Sequence, residues 1–479
     1  MTFHPVNEMN LKDKNRTILL GAGPAGLAAA YELSNHDVEC VVLDRLNQVG
    51  GLCRTIDFEG YLFDIGGHRF LSRSAEVNAL WKSIMGSDLL VRSRQSRIYY
   101  GGKYYSYPLR PFEAFWNMGP LESIACLVSY CFAQLSPRAT PDFESWMVRK
   151  FGRRLYNNFF RTYTEKVWGI HGSQLSSDWA EQRIQQLSLK KAIFESVFPF
   201  KSGHVKTLSS RFYYPRLGPG HFCEKLKQAC ETNGVEFRLE KSVEDIFHAN
   251  GKIEGVRIRG RDERIEELRG KYFVSSIPLP VFVRKLLPAA PEPIMKAAAQ
   301  LKFRNFVSVN LVYDIEKVFE DNWIYLHSPD VRAGRIQNYK NWSPSMVPDD
   351  RKTSLGVEYF VSEDDPLWGA REEEWIKLAV QELEKLGIAS SSRFMKGFTV
   401  KVPYAYPVYH EGYRDSVNTL KGYLQAFSNL QCIGRAGLFR YNNSDHAILT
   451  GFYGAKNILG EIHDVWTVDP DSSRSSVHI

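Results

Sequence analysis

Long hydrophobic runs are scarce in this chain of 479 residues. A membrane-spanning helix needs about 20 consecutive apolar residues. The most apolar stretch, Leu121 to Leu135, is shorter and carries Glu122, so it is expected to be a buried helix, with a membrane-surface role left open. Cysteines are few and scattered: the seven, at 40, 53, 126, 131, 223, 230 and 432, form no Cys-x-x-Cys pair. That excludes a cysteine metal site and a disulfide framework, and it fits reduced thiols in the cytosol. No Gly-x-Ser-x-Gly elbow is present and no cysteine sits in a nucleophile–base motif, so no side chain stands out as a covalent nucleophile. Internal repeats and low-complexity linkers are missing too. The net charge is +7, but the basic residues are not clustered, which excludes a nucleic-acid face and leaves a mild preference for anionic partners. No signal-peptide pattern is found at the start, so a cytoplasmic location is expected. Residues 1–14 and 468–479 are polar and expected to be flexible ends.

What is present is a strand–turn–helix pattern, Ile18-Leu19-Leu20-Gly21-Ala22-Gly23-Pro24-Ala25-Gly26-Leu27. Gly21 permits the tight turn, Gly23 lets backbone approach a pyrophosphate, and Gly26 lets the helix pack on its strand. Amides and the helix dipole at this N-terminus favour anionic oxygens. A second strand, Glu39 to Leu43, ends in Asp44, about twenty residues past the glycines, where an acid accepts ribose hydroxyls. Gly50-Gly51 and Gly66-Gly67-His68 follow, two glycine pairs expected to hold backbone against one large planar ligand.

Residues 97–107, rich in tyrosine around Gly101-Gly102, predict a hairpin. From Pro111 to Lys201 the pattern is helical, with a helix start at Thr140-Pro141 and a core stripe of Phe143, Trp146, Met147, Phe151, Leu155, Phe159 and Phe160. Strands are expected at 235–239, 256–259, 272–276, 303–313, 354–362 and 431–434, and helices at 221–232, 372–386 and 447–462.

The glycine motifs and the late Gly434-Arg435 turn resemble the two-dinucleotide-binding flavoproteins of the amine oxidase and protoporphyrinogen oxidase group. Within it, Gly66-Gly67-His68, Tyr107-Pro108, Phe143 to Arg149, Lys166-Val167-Trp168 and Asp445-His446 make the chain similar to UDP-galactopyranose mutase. The resemblance implies an α/β fold with a Rossmann-type FAD-binding domain (15–95, 203–290 and 425–465), an inserted helical domain (110–201) and an antiparallel β-sheet substrate domain (96–109 and 291–424). It implies FAD, active when reduced, with NAD(P)H as candidate reductant. Gly21, Gly23, Gly26, Asp44, Gly51, Gly67, Gly434 and Asn443 would bind this cofactor, with His68 and Arg435 as catalytic residues beside the flavin. Arg183, Arg335, Tyr406 and Tyr441 would hold a substrate diphosphate, and Tyr107 and Tyr325 would line the nucleotide side; no metal is implied. The implied activity is pyranose–furanose interconversion of a diphosphate-linked sugar through a reduced-flavin N5 adduct, in glycan biosynthesis. The implied partner is that small-molecule substrate, with neither nucleic acid nor a transmembrane segment; a homo-oligomer stays open.

The family's uridine pocket has a glutamine where this chain has Arg110, and an asparagine where it has Ser209, so the resemblance does not specify UDP. Two other functions are weighed against the mutase. An oxidase or dehydrogenase would take hydride from an amine, porphyrinogen or polyene, and the generic FAD motifs do not separate it from the mutase. A non-catalytic flavin-binding module would leave Arg183 and Arg335 without a task.

Overall fold

The computed structural model describes residues 15–107, 109–135, 141–178 and 211–468. Both ends expected to be flexible lie outside this set apart from Val468, as do Thr140, Arg183 and Ser209.

A five-stranded parallel sheet is laid down in the order Leu430–Cys432, Tyr272–Ser275, Thr17–Leu20, Cys40–Leu43 and Glu236–Arg238. Thr17–Leu20 and Cys40–Leu43 are buried at every position, as strands covered on both faces must be. The helix Pro24–Ser34 follows the first strand and packs on the closing helix Ser444–Ile458. Their approach depends on Gly451, where a Cβ would stand 2.2 Å from the Ala25 carbonyl oxygen. A smaller four-stranded sheet, in the order Ile265–Arg269, Lys252–Gly260, Lys241–Ala249 and Leu286–Leu287, completes this half.

The other half is a seven-stranded sheet, in the order Phe394–Pro407, Phe303–Tyr313, Thr353–Val361, Arg335–Asn338, Trp323–Leu326, Ser96–Tyr100 and Lys103–Ser106. Its pairings are antiparallel except for Trp323–Leu326 with Ser96–Tyr100, which carries the tyrosine-rich hairpin onto the sheet. The helix Glu372–Lys385 covers it with Trp375, Ala379 and Leu383.

The helices Pro111–Met118, Pro120–Leu135, Phe143–Phe151 and Thr162–Trp168 pack on one another and, through the hairpin strand Lys103–Ser106 and the strand Thr353–Val361, on the seven-stranded sheet. The last of these helices is clamped to the sheet by buried cations. Lys166 Nζ donates to the carbonyls of Leu326, Ser328 and Ala333, and Arg304 donates to those of Lys166, Val167 and Phe360. Burial lowers the Lys166 pKa to about 8.

Three expectations change here. The helix expected to start at Thr140-Pro141 starts at Phe143, because the Asp142 carboxylate accepts from the Ser145 N–H at 2.8 Å and caps it. The Leu121–Leu135 segment is helical but not buried: Leu121, Phe132 and Leu135 are 85%, 68% and 78% exposed. Only Ser123 and Cys126 are buried, since the helix rests on its neighbours along a narrow line where Glu122 pairs with Arg154. The helix expected at 447–462 begins earlier, at Ser444, and ends at Ile458.

Candidate cofactor and substrate site

At the carboxyl ends of the parallel strands lies a cavity of about 460 Å³. Gly21, Gly23, Asp44, Gly51, His68, Gly434, Arg435 and Asn443 all line it, from segments spread over the chain. Ser276, Arg54 and Asn442 line it as well.

The helix Pro24–Ser34 starts on Gly23 without a side-chain cap, so its leading amides are left for a ligand. Ser444 and Ala447 bring the closing helix's N-terminus to the same cavity. A Cβ added to Gly51 would lie 3.3 Å from the Gly23 Cα, so the two backbones face each other closely. Gly26 is different: its Cβ would stand 1.9 Å from the Gly21 oxygen, which is helix-on-strand packing and not ligand contact. Gly67 also stands off the wall, against the Gln337 side chain at 2.8 Å from a built Cβ. Asp44 accepts from the amides of Ala22 at 2.8 Å and Leu46 at 2.9 Å, so this acid braces the glycine turn while facing the cavity.

The residues fit a dinucleotide. Besides the glycine cradle and two helix N-termini, Asn442 offers a buried Nδ2 with no hydrogen-bond partner among the described residues. A buried donor left unpaired is costly, and a ligand carbonyl or phosphate oxygen would satisfy it. Asn443 instead sits at the N-cap of the closing helix.

His68 bonds through Nδ1 to the Gly66 carbonyl at 2.9 Å. A carbonyl only accepts, so Nδ1 carries the proton and Nε2 holds a free lone pair. Burial, with the charges of Arg435 and Arg335, lowers the pKa to about 4, and the imidazole is neutral at pH 7. The turn carrying it is anchored by Asp64, which accepts from Thr55 at 2.8 Å and Tyr214 at 2.5 Å, and whose carbonyl accepts from Tyr339 at 2.7 Å.

The expected substrate residues adjoin this wall. Arg435 donates to the Asn442 carbonyl at 2.8 Å, and its guanidinium lies 5.3 Å from the Tyr406 ring and 4.8 Å from the Tyr441 ring. Those two rings stack at 5.7 Å. Burial pushes the Tyr406 phenol well above the ordinary tyrosine range, so it is a donor at neutral pH. Farther out, Tyr107 and Tyr325 pack at 4.9 Å, and the Arg335 guanidinium lies 6.0 Å from the Tyr325 ring. Arg183 belongs to the residues outside the described set.

The sequence reading missed Glu358. This fully buried carboxylate accepts from Arg335 Nε at 2.7 Å and lies 2.5 Å from Nη2, while its other oxygen accepts from Gln337 at 2.7 Å. Burial alone would lower the Arg335 pKa; Glu358 outweighs it and keeps the guanidinium charged. The signal was a lone charged residue inside the otherwise uncharged, β-branched and aromatic strand Thr353–Val361, since a buried carboxylate requires a partner. Among the described residues there is no metal-holding cluster, and no helix is long and apolar enough to cross a membrane.

Residues 24–452 match the model of the family described as flavin containing amine oxidoreductase. The 1-hydroxycarotenoid 3,4-desaturase of Flavobacterium sp. (strain P99-3) is 24% identical over 266 residues, 50% of this chain and 53% of that protein. Coproporphyrinogen III oxidase of Staphylococcus aureus (strain NCTC 8325 / PS 47) is 24% identical over 255 residues, 48% of this chain and 54% of that protein. The chain thus spans about half the length of these curated relatives. Among solved structures, a reduced UDP-galactopyranose mutase superposes with a TM-score of 0.83 at 18% identity, covering 97% of this chain and 100% of the other. A putative protoporphyrinogen oxidase from Exiguobacterium sp. 255-15 follows at 0.69 and 18%, covering 93% and 98%. At these identities the superpositions establish the shared fold. With the family match running from the first helix of the glycine cradle into the closing helix, this chain belongs to the flavin containing amine oxidoreductases, a family that implies FAD.

Proposed function

We propose that the protein is an FAD-dependent sugar mutase, interconverting ring forms of a diphosphate-linked sugar, with the cofactor active in its reduced state. One observation carries this reading: the groups beside His68 are cations interleaved with tyrosines, Arg435 on Tyr406 and Tyr441 and Arg335 on Tyr325. A polyene would favour an apolar wall, whereas guanidinium forks and phenol donors suit the oxygens of a departing diphosphate. The likeness to a reduced UDP-galactopyranose mutase over nearly the whole chain supports the same choice. NAD(P)H is the proposed reductant.

Held by the cradle of Gly21, Gly23, Gly51 and Gly434, reduced FAD would supply electron-rich, nucleophilic chemistry toward an anomeric carbon without net redox change. The chain's own groups do the rest. Arg435, held by the Asn442 carbonyl, and the Tyr406 hydroxyl present donors where negative charge develops. His68, its Nδ1–H fixed on Gly66, offers Nε2 as an acceptor without adding charge. Arg335 keeps its orientation through Glu358, and the Tyr406 and Tyr441 rings stack under the Arg435 guanidinium.

The test incubates anaerobically reduced protein with nucleotide-linked and prenyl-linked sugars, traps with cyanoborohydride and weighs the extracted flavin. A sugar mass on the flavin, with ring-isomerised product and no oxygen consumption, is expected. Turnover only by oxidised protein, with stoichiometric oxygen uptake, hands the chain to the oxidase reading that its curated relatives favour.

A further inference from the structure

One exposed face of the helical layer is apolar and uncharged. In the helix Pro120–Leu135 the exposed Leu121, Ile124, Leu127, Val128, Phe132 and Leu135 recur at helical spacing and form one stripe. Trp116, on the preceding helix Pro111–Met118, is 74% exposed. The two helices are held together, since Ser123 Oγ donates to the Phe115 carbonyl at 3.1 Å. Glu122, the one charged side chain of Pro120–Leu135, is taken up by Arg154 and Asn158. A continuous apolar surface of this kind marks an interaction site.

Cations stand at both ends of the stripe. Arg110 is exposed at the N-cap of Pro111–Met118, and the exposed Lys103 donates to the Asn117 carbonyl at 2.6 Å, next to Trp116. At the far end, Gln134 Nε2 donates to the carbonyl of the exposed Arg149 at 2.6 Å, beside Leu135. The acids of this layer are occupied: Glu122, Glu144 and Glu165 by Arg154, Arg153 and Arg161, and Glu113 and Asp142 by backbone amides. Lys103, Arg110 and Arg149 are left without a carboxylate partner among the described residues. At 16 residues the helix is about 24 Å long, too short to cross a hydrocarbon core of about 30 Å. An apolar stripe bearing Phe132 and Trp116, framed by free cations, fits the headgroup plane, where apolar side chains enter and cations meet anionic lipid. A second copy of the chain fits less well, because twofold pairing would set this cationic rim against itself. We infer that the stripe docks the protein on the surface of an anionic lipid bilayer, with the helix lying in the membrane plane. The inference concerns where the enzyme works and stands under either the mutase or the oxidase reading. The same layer reaches the substrate end, since Ala114 shares an apolar cluster with Tyr105 and Phe159, on which Tyr107 and Tyr325 pack.

The test is flotation of the flavin-loaded protein with phosphatidylcholine vesicles and with mixed phosphatidylcholine–phosphatidylglycerol vesicles. Binding to the anionic vesicles is expected, and it should weaken as salt is raised. Ile124→Glu and Phe132→Glu are each expected to weaken it about 10–100-fold, through lost apolar burial and a charge brought into the interface. Arg110→Gln and Arg149→Gln should each cost about fivefold on anionic vesicles and leave binding to neutral ones unchanged. Ile462→Glu, at an apolar residue 98% exposed beyond the closing helix, should bind as wild type does. Flavin content should stay unchanged in every variant. Trp116 is the exposed tryptophan among the described residues, so lipids brominated on their acyl chains should quench wild-type emission far more than that of Trp116→Phe. Vesicle binding that both stripe variants retain, or that Ile462→Glu weakens as much as they do, overturns the inference. A wild type that binds neither vesicle overturns it too. Light scattering that then finds a dimer split by Phe132→Glu would assign the stripe to a second copy instead.

Discussion

The two ends of the site are built on opposite principles. At the cofactor end, side chains are removed: Gly21, Gly23, Gly51 and Gly434 bring bare backbone and helix N-termini to the cavity. At the substrate end, side chains are crowded in, and charge is managed by pairing, with Arg335 on Glu358 and Arg435 on backbone carbonyls and tyrosine faces. The first design needs only local conformation and close approach. The second needs several strands in register, because Arg335 meets Glu358 only through the antiparallel pairing of Arg335–Asn338 with Thr353–Val361.

The contrast breaks most sharply within the glycines. Gly23→Val should give folded, colourless protein, because a Cβ there meets nothing closer than the Gly51 Cα at 4.0 Å while occupying ligand space. Gly26→Ala should instead lower stability by about 1–3 kcal/mol, through a Cβ forced against backbone. Absorbance at the flavin band and denaturant midpoints separate the two; a yellow Gly23→Val protein contradicts the cradle.

At the substrate end, Glu358→Ala leaves the buried Arg335 without its partner, and a loss of about 3–5 kcal/mol of stability is expected. Denaturant titration checks it. A loss below about 1 kcal/mol would mean that the guanidinium finds water or another acceptor.

The smallest effect is a pH slope. The His68 pKa is lowered to about 4 in the folded protein, so between pH 6.5 and 4 the unfolded chain binds the proton and the folded one does not. Stability therefore falls as pH drops through that window and levels off below it. The urea midpoint of wild type should fall relative to that of His68→Asn as pH drops from 6.5 to 4, with a constant offset above and below that window. Parallel curves would show that His68 is accessible to solvent protons.

Legibility in the sequence followed the same division. The glycine turn, Asp44 and the strand–helix order were readable because each rests on spacing within one short segment. The residues Arg335, Tyr406, Tyr441, Tyr107 and Tyr325 could be named through resemblance, but their partners could not. Glu358 lies in another strand, and it, Gln337 and Arg94, the donor to the Tyr107 carbonyl, acquire meaning only through pairing between strands. The Leu121–Leu135 helix failed for a related reason, since apolar content does not say which face finds a neighbour.

The sequence by itself thus determined the parallel-sheet nucleotide cradle, because backbone freedom at glycine and amide direction at a helix start are properties of a few adjacent residues. Only the tertiary structure decided the charge of the substrate end. Whether an arginine is a free cation or half of a neutral pair depends on which carboxylate the fold buries beside it, and Arg335 received one while Arg435 received backbone carbonyls and tyrosine faces.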